Sequence, residues 1–143
     1  MTNVTVRVYD PKKDYSAVLA LYKDTSTFGG QYDDARDTED RLQTLSKSNP
    51  DKILVAVLNG QIVGTVTLFE DGRSAWLYRF AVQARHESEV AQALYTKAAQ
   101  TLKNLGHSQV LVYAPAGDKH FAERYKNLGL TKGNDYTAFW KDI

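Results

Sequence analysis

The sequence of 143 residues contains no cysteine. This absence excludes a disulfide framework, a thiolate nucleophile and a cysteine metal site, so the fold must be stabilised by packing. The three histidines have no spacing that suggests a metal site either. We therefore predict a chain that uses no metal and that is compatible with a reducing compartment.

Long hydrophobic runs and an excess of one charge are also absent. The first residues read Met-Thr-Asn-Val-Thr-Val-Arg, without the apolar run of a signal peptide, and no later stretch approaches the roughly 18 apolar residues needed to span a bilayer. The sequence predicts a cytoplasmic protein with no membrane partner. Lys and Arg number 18 and Asp and Glu 17, and this balance disfavours nucleic acid as a partner.

What is present is the composition of a globular protein. Hydrophobic residues make up 43% of the chain and aromatic residues 11%, too many for a disordered chain. A length of 143 residues is close to the commonest size of one domain. We expect a single domain over residues 1–143, as a monomer or a homodimer.

The first half of the chain predicts a strand, two short helices and a hairpin. Valines alternate with other residues over 4–9, which indicates a strand with one buried face, and Asp14 can cap the helix that follows. A second helix is expected over residues 38–48, with Asp37 or Thr38 as its cap. Two β-branched runs, 53–58 and 62–69, are joined by Asn59-Gly60, which is a strong hairpin signal.

The second half alternates strands and helices. Residues 75–82 predict the third strand of a meander, and apolar residues four apart from Val90 to Leu102 predict an amphipathic helix that Gly106 ends. The apolar run from Gln109 to Ala114 predicts a strand buried on both faces. A helix over residues 119–127 and a last strand over residues 136–140 complete the order βααβββαβαβ. This order predicts an α/β (α+β) fold, with a mixed, mostly antiparallel sheet and helices on both faces.

Three features of this order carry a resemblance to a known family. The third meander strand ends in Ala81-Val82, a charged loop and a long helix follow it, and residues 125–130 read Tyr-Lys-Asn-Leu-Gly-Leu. In these features and in the order of its elements, the chain resembles the GNAT superfamily of N-acetyltransferases. The resemblance implies that acetyl-CoA is the co-substrate.

Tyr125 is the catalytic residue that the resemblance implies. It corresponds to the tyrosine that protonates the departing CoA thiolate. A phenol with a pKa of about 10 is protonated at neutral pH and can donate to a thiolate whose acid has a pKa of about 8.5. The alternative is that Tyr125 is an ordinary core tyrosine of an amphipathic helix.

The loop after Val82 departs from the family pattern. The family has a glycine-rich loop there, whose amides approach the CoA pyrophosphate at a helix N-terminus. This chain has no glycine between Gln83 and Ala91, and Glu87 and Glu89 stand where glycines are usual. The helix dipole also favours glutamates in the first turn of a helix, and Ser88 is a good helix cap. These residues can therefore be explained without any ligand. The residues that the resemblance places at the cofactor are Phe80, Ala81, Val82, Arg85, His86, Glu87, Ser88, Glu89, Val90, Ala91 and Asp118, the last of which can instead cap the helix that follows it.

The acceptor side is less well defined by the sequence. Transfer to an amine requires a neutral amine, but residues 74–78 contain no acid, and Glu70 and Asp71 are only weak candidates for a base. The segment 28–40 combines acids with aromatic residues, and its acids would attract a cationic amine unless they are simply solvated. The residues expected to bind the acceptor are Phe28, Tyr32, Trp76 and Tyr78.

Together these features lead to one functional hypothesis and one alternative. The hypothesis is an acyl-CoA-dependent N-acyltransferase that acetylates a primary amine of a small molecule or peptide. A backbone N–H of the third meander strand would stabilise the oxyanion, and Tyr125 would protonate the thiolate. The alternative is a catalytically silent GNAT-fold binding module that has lost CoA binding, as the glycine-free loop and the missing strand acid would suggest.

Overall fold

The computed structural model describes residues 3–24 and 33–143. Four strands form one antiparallel sheet in the order β1-β2-β3-β4. The mixed α+β fold with an antiparallel sheet, predicted from the sequence, is thereby confirmed. The elements are β1 (Thr5–Val8), α1 (Tyr15–Lys23), α2 (Glu39–Ser48), β2 (Ile53–Leu58), β3 (Gln61–Glu70), β4 (Ala75–Val82), α3 (Glu87–Asn104) and α4 (Lys119–Asn127).

The β2–β3 connection is the tight hairpin that the sequence predicts. Asn59 and Gly60 have φ angles of 51° and 76°. Positive φ at both central residues is the geometry of the two-residue turn that matches the twist of the flanking strands. The turn fixes the pairing Leu58↔Gln61 and so determines which side chains of β2 and β3 face the core.

Helices cover both faces of the sheet, as expected. On one face, Val90, Leu94 and Ala98 of α3 are fully buried against the strands. On the other face, Val18 and Tyr22 of α1 pack in a second apolar cluster. Full burial of each large apolar side chain stabilises the fold by about 1.5–3 kcal/mol, so the two clusters hold the sheet between the helix layers.

Helix caps are formed at two of the four predicted positions. Thr38 rather than Asp37 caps α2, since its side chain accepts from the N–H of Arg41. Asp118 caps α4 and accepts from the N–H groups of residues 120 and 121. Asp14 precedes α1 but does not cap it. Its carboxylate is bound instead by the guanidinium of Arg7 and by a backbone N–H of the preceding turn.

Two predicted strands are not formed. Residues 109–114 make a single parallel bridge, Trp76↔Leu111, and are not buried on both faces, since Leu111 and Tyr113 are exposed. Only the alternate residues of this run pack on the core. A run of apolar residues does not by itself show that both faces of a strand are buried, so the prediction of two buried faces was wrong. Residues 136–140 are not a strand either, and Phe139 and Trp140 are 93% and 83% exposed. Their aromatic content resembled that of a strand, but they do not pack on the core.

Candidate active site

A cleft opens where β4 separates from residues 110–114. The two segments are joined by hydrogen bonds only around Leu111, whose N–H donates to Ala75 O and whose carbonyl accepts from Leu77 N, at 2.9 and 2.8 Å. Beyond this point β4 has a bulge. Arg79 has a φ of 51°, and two residues of β4 lie opposite one residue of β3. Such a bulge bends a strand, and here it bends β4 at the point where the pairing ends.

The cleft has a volume of about 690 Å³ and a mostly apolar lining. One wall comes from β4 with Phe69 of β3, and the opposite wall comes from the segment after Val110 and from α4. Arg79 is the one charged residue among the lining residues that the structure describes. The lining residues are Phe69, Trp76, Leu77, Tyr78, Arg79, Phe80, Val112, Tyr113, Ala114, Pro115 and Tyr125.

Tyr125 of α4 lies at the inner side of this cleft. Its side chain is buried, with its ring centroid 6.3 Å from that of Phe80 on β4. Burial raises the pKa of the Tyr125 hydroxyl above its ordinary value, and the neighbouring Arg124 guanidinium offsets this only in part. The hydroxyl therefore stays protonated at neutral pH and can act as a proton donor.

Arg79 is held by a carboxylate at the bulge of β4. Its Nε and Nη2 donate to the two carboxylate oxygens of Asp37 at 3.1 and 2.9 Å, and both side chains are nearly buried. Its guanidinium also lies 4.8 Å from the ring centroid of Tyr78. This bidentate pair joins the bulge to the segment that precedes α2, and it neutralises the charge of Asp37.

The loop after Val82 takes a path that requires no glycine. Residues Ala84–His86 form a 3-10 turn that leads directly into α3, and none of them has a positive φ. His86 flanks the helix without a side-chain cap. The predicted cap, Ser88, lies inside the first turn of α3, because the helix begins one residue earlier, at Glu87. An ordinary helical turn therefore replaces the glycine-rich loop of the family pattern.

Glu87 is bound by two residues of α4. Arg124 Nε donates to Glu87 Oε1 at 2.7 Å, a second guanidinium nitrogen contacts the same oxygen, and His120 Nε2 lies 2.7 Å from Oε2. Arg124 Nη1 also donates to the carbonyl oxygen of Phe80 at 3.1 Å. We call Glu87, Arg124 and His120 the loop clamp. It turns the Glu87 carboxylate toward α4 and offsets its charge.

The structure distributes the other predicted cofactor residues between the core and the surface. The side chains of Ala81, Val82, Val90 and Ala91 are buried in the two apolar clusters, so only their backbone can reach a ligand. Arg85, Ser88 and Glu89 are exposed at the start of α3, and His86 is half-buried. Asp118 uses one carboxylate oxygen to cap α4.

Two of the four predicted acceptor residues lie in the cleft. Trp76 and Tyr78 line it, whereas Phe28 and Tyr32 fall outside the described residues. The two weak candidates for a base do not line it. Glu70 lies 2.8 Å from both Lys52 Nζ and His107 Nε2, and Asp71 accepts from Arg73 and from the backbone of its own turn.

Sequence reasoning missed several residues of the site, among them two arginines and two aromatic residues. Arg124 follows the buried Phe121 at helical spacing, and a cation on the inward face of a helix is a signal of a buried partner. Arg79 interrupts an apolar strand and could have been recognised in the same way. Phe69 and Tyr113 are brought to the cleft by strand pairing, which a local pattern does not reveal.

Two further properties concern metals and membranes. Among residues 3–24 and 33–143, no three His, Asp or Glu side chains lie close enough together to hold a metal ion. None of the helices in these ranges combines the length and the apolar character needed to cross a membrane.

Solved structures with the same fold are numerous. An aminoglycoside acetyltransferase from an uncultured soil metagenomic sample, in complex with sisomicin, has a TM-score of 0.75 and 18% identity, over 98% of this chain and 96% of that one. PaiA N-acetyltransferase from Thermoplasma acidophilum, in complex with coenzyme A, has a TM-score of 0.71 and 18% identity over 87% and 88%. Glucosamine-6-phosphate N-acetyltransferase from Arabidopsis thaliana has a TM-score of 0.71 and 16% identity over 98% and 99%. At these identities the likeness establishes the fold alone.

The family is established by the sequence itself. No curated protein matches the chain. A family model described as the acetyltransferase (GNAT) family, however, matches residues 16–129, which include the bulged strand, the loop clamp and Tyr125. This chain therefore belongs to the GNAT acetyltransferase family.

Proposed function

We propose that this chain is an acyl-CoA-dependent N-acyltransferase that transfers an acetyl group from acetyl-CoA to a primary amine of a small molecule or peptide. The observation that carries the proposal is the position of Tyr125, a buried and protonated hydroxyl in the cleft where β4 leaves its neighbouring segment. The aminoglycoside and glucosamine-6-phosphate acetyltransferases of the same fold support an amine acceptor. We further propose that residues 1–143 act as one domain in the cytoplasm.

The residues at the start of α3 fit a pyrophosphate group. The first N–H groups of a helix have no intrahelical partner, and those of Ser88, Glu89 and Val90 lie in this first turn. Arg85 is exposed beside them and can supply a counter-charge. Because Arg124 and His120 hold the Glu87 carboxylate, its charge opposes an anion at the helix terminus less than a free carboxylate would.

The chain's own residues would act in three places. Acetyl-CoA, when bound, supplies an acyl group activated as a thioester. Because the hydrogen bonds between β4 and residues 110–114 end at Leu77, a backbone N–H of β4 beyond this point would be available to polarise the acyl carbonyl oxygen. Tyr125 can donate its proton to the departing sulfur and recover a proton from water.

A silent binding module is the second candidate. It is favoured by the same glutamates, because Glu89 remains exposed at the helix terminus where a pyrophosphate would bind. It is also favoured by the described lining of the cleft, which includes no carboxylate that could deprotonate an amine. A module of this kind would have the same fold but would not transfer an acetyl group to an amine.

The two candidates are separated by titration of acetyl-CoA into the protein in a calorimeter, followed by assays of CoA release with a panel of amines. We expect the wild-type chain to bind acetyl-CoA. Tyr125→Phe should retain this binding and lower kcat by about 10²–10⁴, the usual contribution of a general acid. Tyr136→Phe, at an exposed tyrosine, is the matched control and should change neither value. No detectable binding at millimolar acetyl-CoA would refute the transferase proposal.

A further inference from the structure

Four aromatic side chains form a continuous surface on one side of the cleft. Phe69 of β3 pairs in register with Trp76 of β4, and Tyr78 and Tyr113 lie beside them. The centroids of Trp76 and Tyr113 are 4.8 Å apart, and those of Phe69 and Tyr78 are 6.5 Å apart. We call these four residues the aromatic face.

Three of the four rings of the aromatic face are exposed to solvent. Phe69, Tyr78 and Tyr113 are 63%, 43% and 66% exposed. Grouped exposed aromatic rings mark binding sites, because each ring gains free energy when it leaves water and because flat rings stack on other flat groups. The face lines the same cleft as Tyr125, on the side of β4 that precedes the bulge. With a pyrophosphate at the start of α3, beyond the other end of β4, an acceptor would approach the acyl group from this side.

The charge of the cleft argues against an acceptor with several cationic groups. Arg79 is the one charged lining residue in the described part of the chain, and Asp37 neutralises it with a bidentate bond. Asp33 lies in the same segment before α2 as Asp37, and its carboxylate is ion-paired with Arg36 at 2.7 Å. The neighbouring sequence 25–32 contains no acidic residue. The described lining of the cleft therefore gives a polycation no carboxylate partner to offset its loss of hydration.

The ring geometry argues against a cage around an ammonium group. A cation is held by ring faces that surround it, at up to about 6 Å from each centroid. Trp76 and Tyr113 are tilted by 42° with centroids 4.8 Å apart, so they contact each other and leave no room for a cation between them. They form a wall on which a flat apolar group can stack.

We propose that the acceptor is an amine attached to an aromatic group, and that the aromatic face binds this group while the amine points toward Tyr125. Such an acceptor is either a small arylalkylamine or a peptide with an aromatic N-terminal residue. The inference rests on the proposed N-acetyl transfer and names its substrate class.

The transfer balances with residues already described. The nitrogen–carbon bond of the amide forms as the carbon–sulfur bond of the thioester breaks, and Tyr125 supplies the proton that the sulfur takes up. Because the described lining holds no carboxylate, the amine enters neutral and its remaining excess proton passes to water. The value of kcat/KM should then rise with pH in step with the ionisation of the amine itself.

The experiment compares acceptors in the presence of acetyl-CoA. We expect kcat/KM for 2-phenylethylamine to exceed the values for hexylamine and for spermidine at least tenfold. Trp76→Leu should lower kcat/KM for 2-phenylethylamine at least tenfold and for hexylamine less than twofold. Trp140→Leu, at the other tryptophan of the chain, is the matched control and should change neither value. The peptides Phe-Ala-amide and Ala-Phe-amide distinguish a peptide acceptor from a free amine.

Binding measurements separate this inference from the proposed function. If acetyl-CoA binds and spermidine or hexylamine is the better acceptor, the inference is overturned and N-acetyl transfer stands. If acetyl-CoA does not bind, the transferase proposal fails, whereas quenching of Trp76 fluorescence by 2-phenylethylamine would still support the aromatic site. A dimer in sedimentation that Trp76→Leu dissociates, with no amine binding, would show that the face is covered by a second copy and would overturn the inference.

Discussion

The guanidinium of Arg124 on α4 is ion-paired with the carboxylate of Glu87, the first residue of α3, and it also donates to the carbonyl oxygen of Phe80 on β4. One side chain, only 1% exposed, thus connects the bulged strand, the start of α3 and the helix that carries Tyr125. The arrangement explains how a glutamate is tolerated where the family pattern has glycine. The negative charge of Glu87 is neutralised by the guanidinium of Arg124 in the neighbouring helix α4.

Removal of Arg124 should destabilise the fold. Arg124→Leu leaves the Glu87 carboxylate without its guanidinium partner and the Phe80 carbonyl without its donor, so we expect a loss of about 2–3 kcal/mol in the free energy of unfolding. Glu87→Gln in the same chain should restore part of this loss, as a double-mutant cycle in urea can measure. Arg73→Leu, at an exposed ion pair, is the control and should cost less than about 0.5 kcal/mol. Equal effects of the two arginine variants would contradict the clamp.

The pH dependence of turnover should reflect the buried position of Tyr125. Tyr125 must be protonated to act as a proton donor, and burial raises the pKa of its hydroxyl. The pH at which kcat falls on the alkaline side should therefore be raised as well. We expect kcat not to fall until the pH exceeds about 10, the ordinary pKa of tyrosine. Steady-state assays at rising pH test this, with Tyr125→Phe as the reference that lacks the group. A fall well below pH 9 that is absent from the variant would be inconsistent with the assignment.

Glu70 should stabilise the fold at neutral pH and not in strong acid. Its hydrogen bond with His107, and to a smaller extent that with Lys52, lowers its pKa to about 2. The pKa of a glutamate in an unfolded chain is about 4.3. A carboxyl group with a lowered pKa contributes stability above the unfolded value, and this contribution is lost as the pH falls toward 2. Glu70→Gln should therefore lower the Tm at pH 7 and leave it almost unchanged at pH 2. Glu123→Gln, at an exposed position of α4, should have little effect at either pH.

Two buried tyrosines should respond oppositely to loss of the hydroxyl group. The Tyr9 hydroxyl is buried with no hydrogen-bond partner among the described residues, whereas that of Tyr22 is hydrogen-bonded to the side chain of Thr67. Tyr9→Phe removes an unsatisfied polar group and should stabilise the fold by up to about 1 kcal/mol, while Tyr22→Phe should cost about 1 kcal/mol. Urea denaturation of both variants measures the difference. A loss of stability in Tyr9→Phe would indicate that its hydroxyl has a partner.

Gly64 should be required for the close packing of α3 on the sheet. A Cβ added there would lie 2.6 Å from Val90 Cγ1 and 2.9 Å from Leu94 Cδ1. Gly64→Ala should therefore destabilise the fold by about 1–3 kcal/mol, the usual cost of overpacking. Gly133→Ala is the control, because a Cβ at that position meets nothing within 4 Å. Similar Tm values for the two variants would show that α3 can shift without cost.

The local elements of the first 105 residues were predictable because their signals are local. Alternation marks β1, the pair Asn59-Gly60 requires positive φ, and the four-residue spacing from Val90 to Leu102 requires a helix with one buried face. The two strands predicted after Gly106 were wrong for a related reason. An apolar or aromatic run shows that a segment can be a strand, but a ladder also needs a partner edge. Here pairing with residues 109–114 ends at one bridge, and residues 136–140 lie exposed.

The sequence by itself determined the family resemblance, the antiparallel meander and the prediction of a role for Tyr125, because each rests on residues close together in the chain. Only the tertiary structure decided where the Glu87 carboxylate of the glycine-free loop is held. Glu87 and Arg124 are 37 residues apart, and their contact exists because α3 and α4 pack side by side. The aromatic face has the same origin, since strand pairing brings together rings from three separate segments. Interactions between charges and between aromatic rings depend on their separation in space. For residues far apart in the sequence, spacing along the chain does not determine that separation.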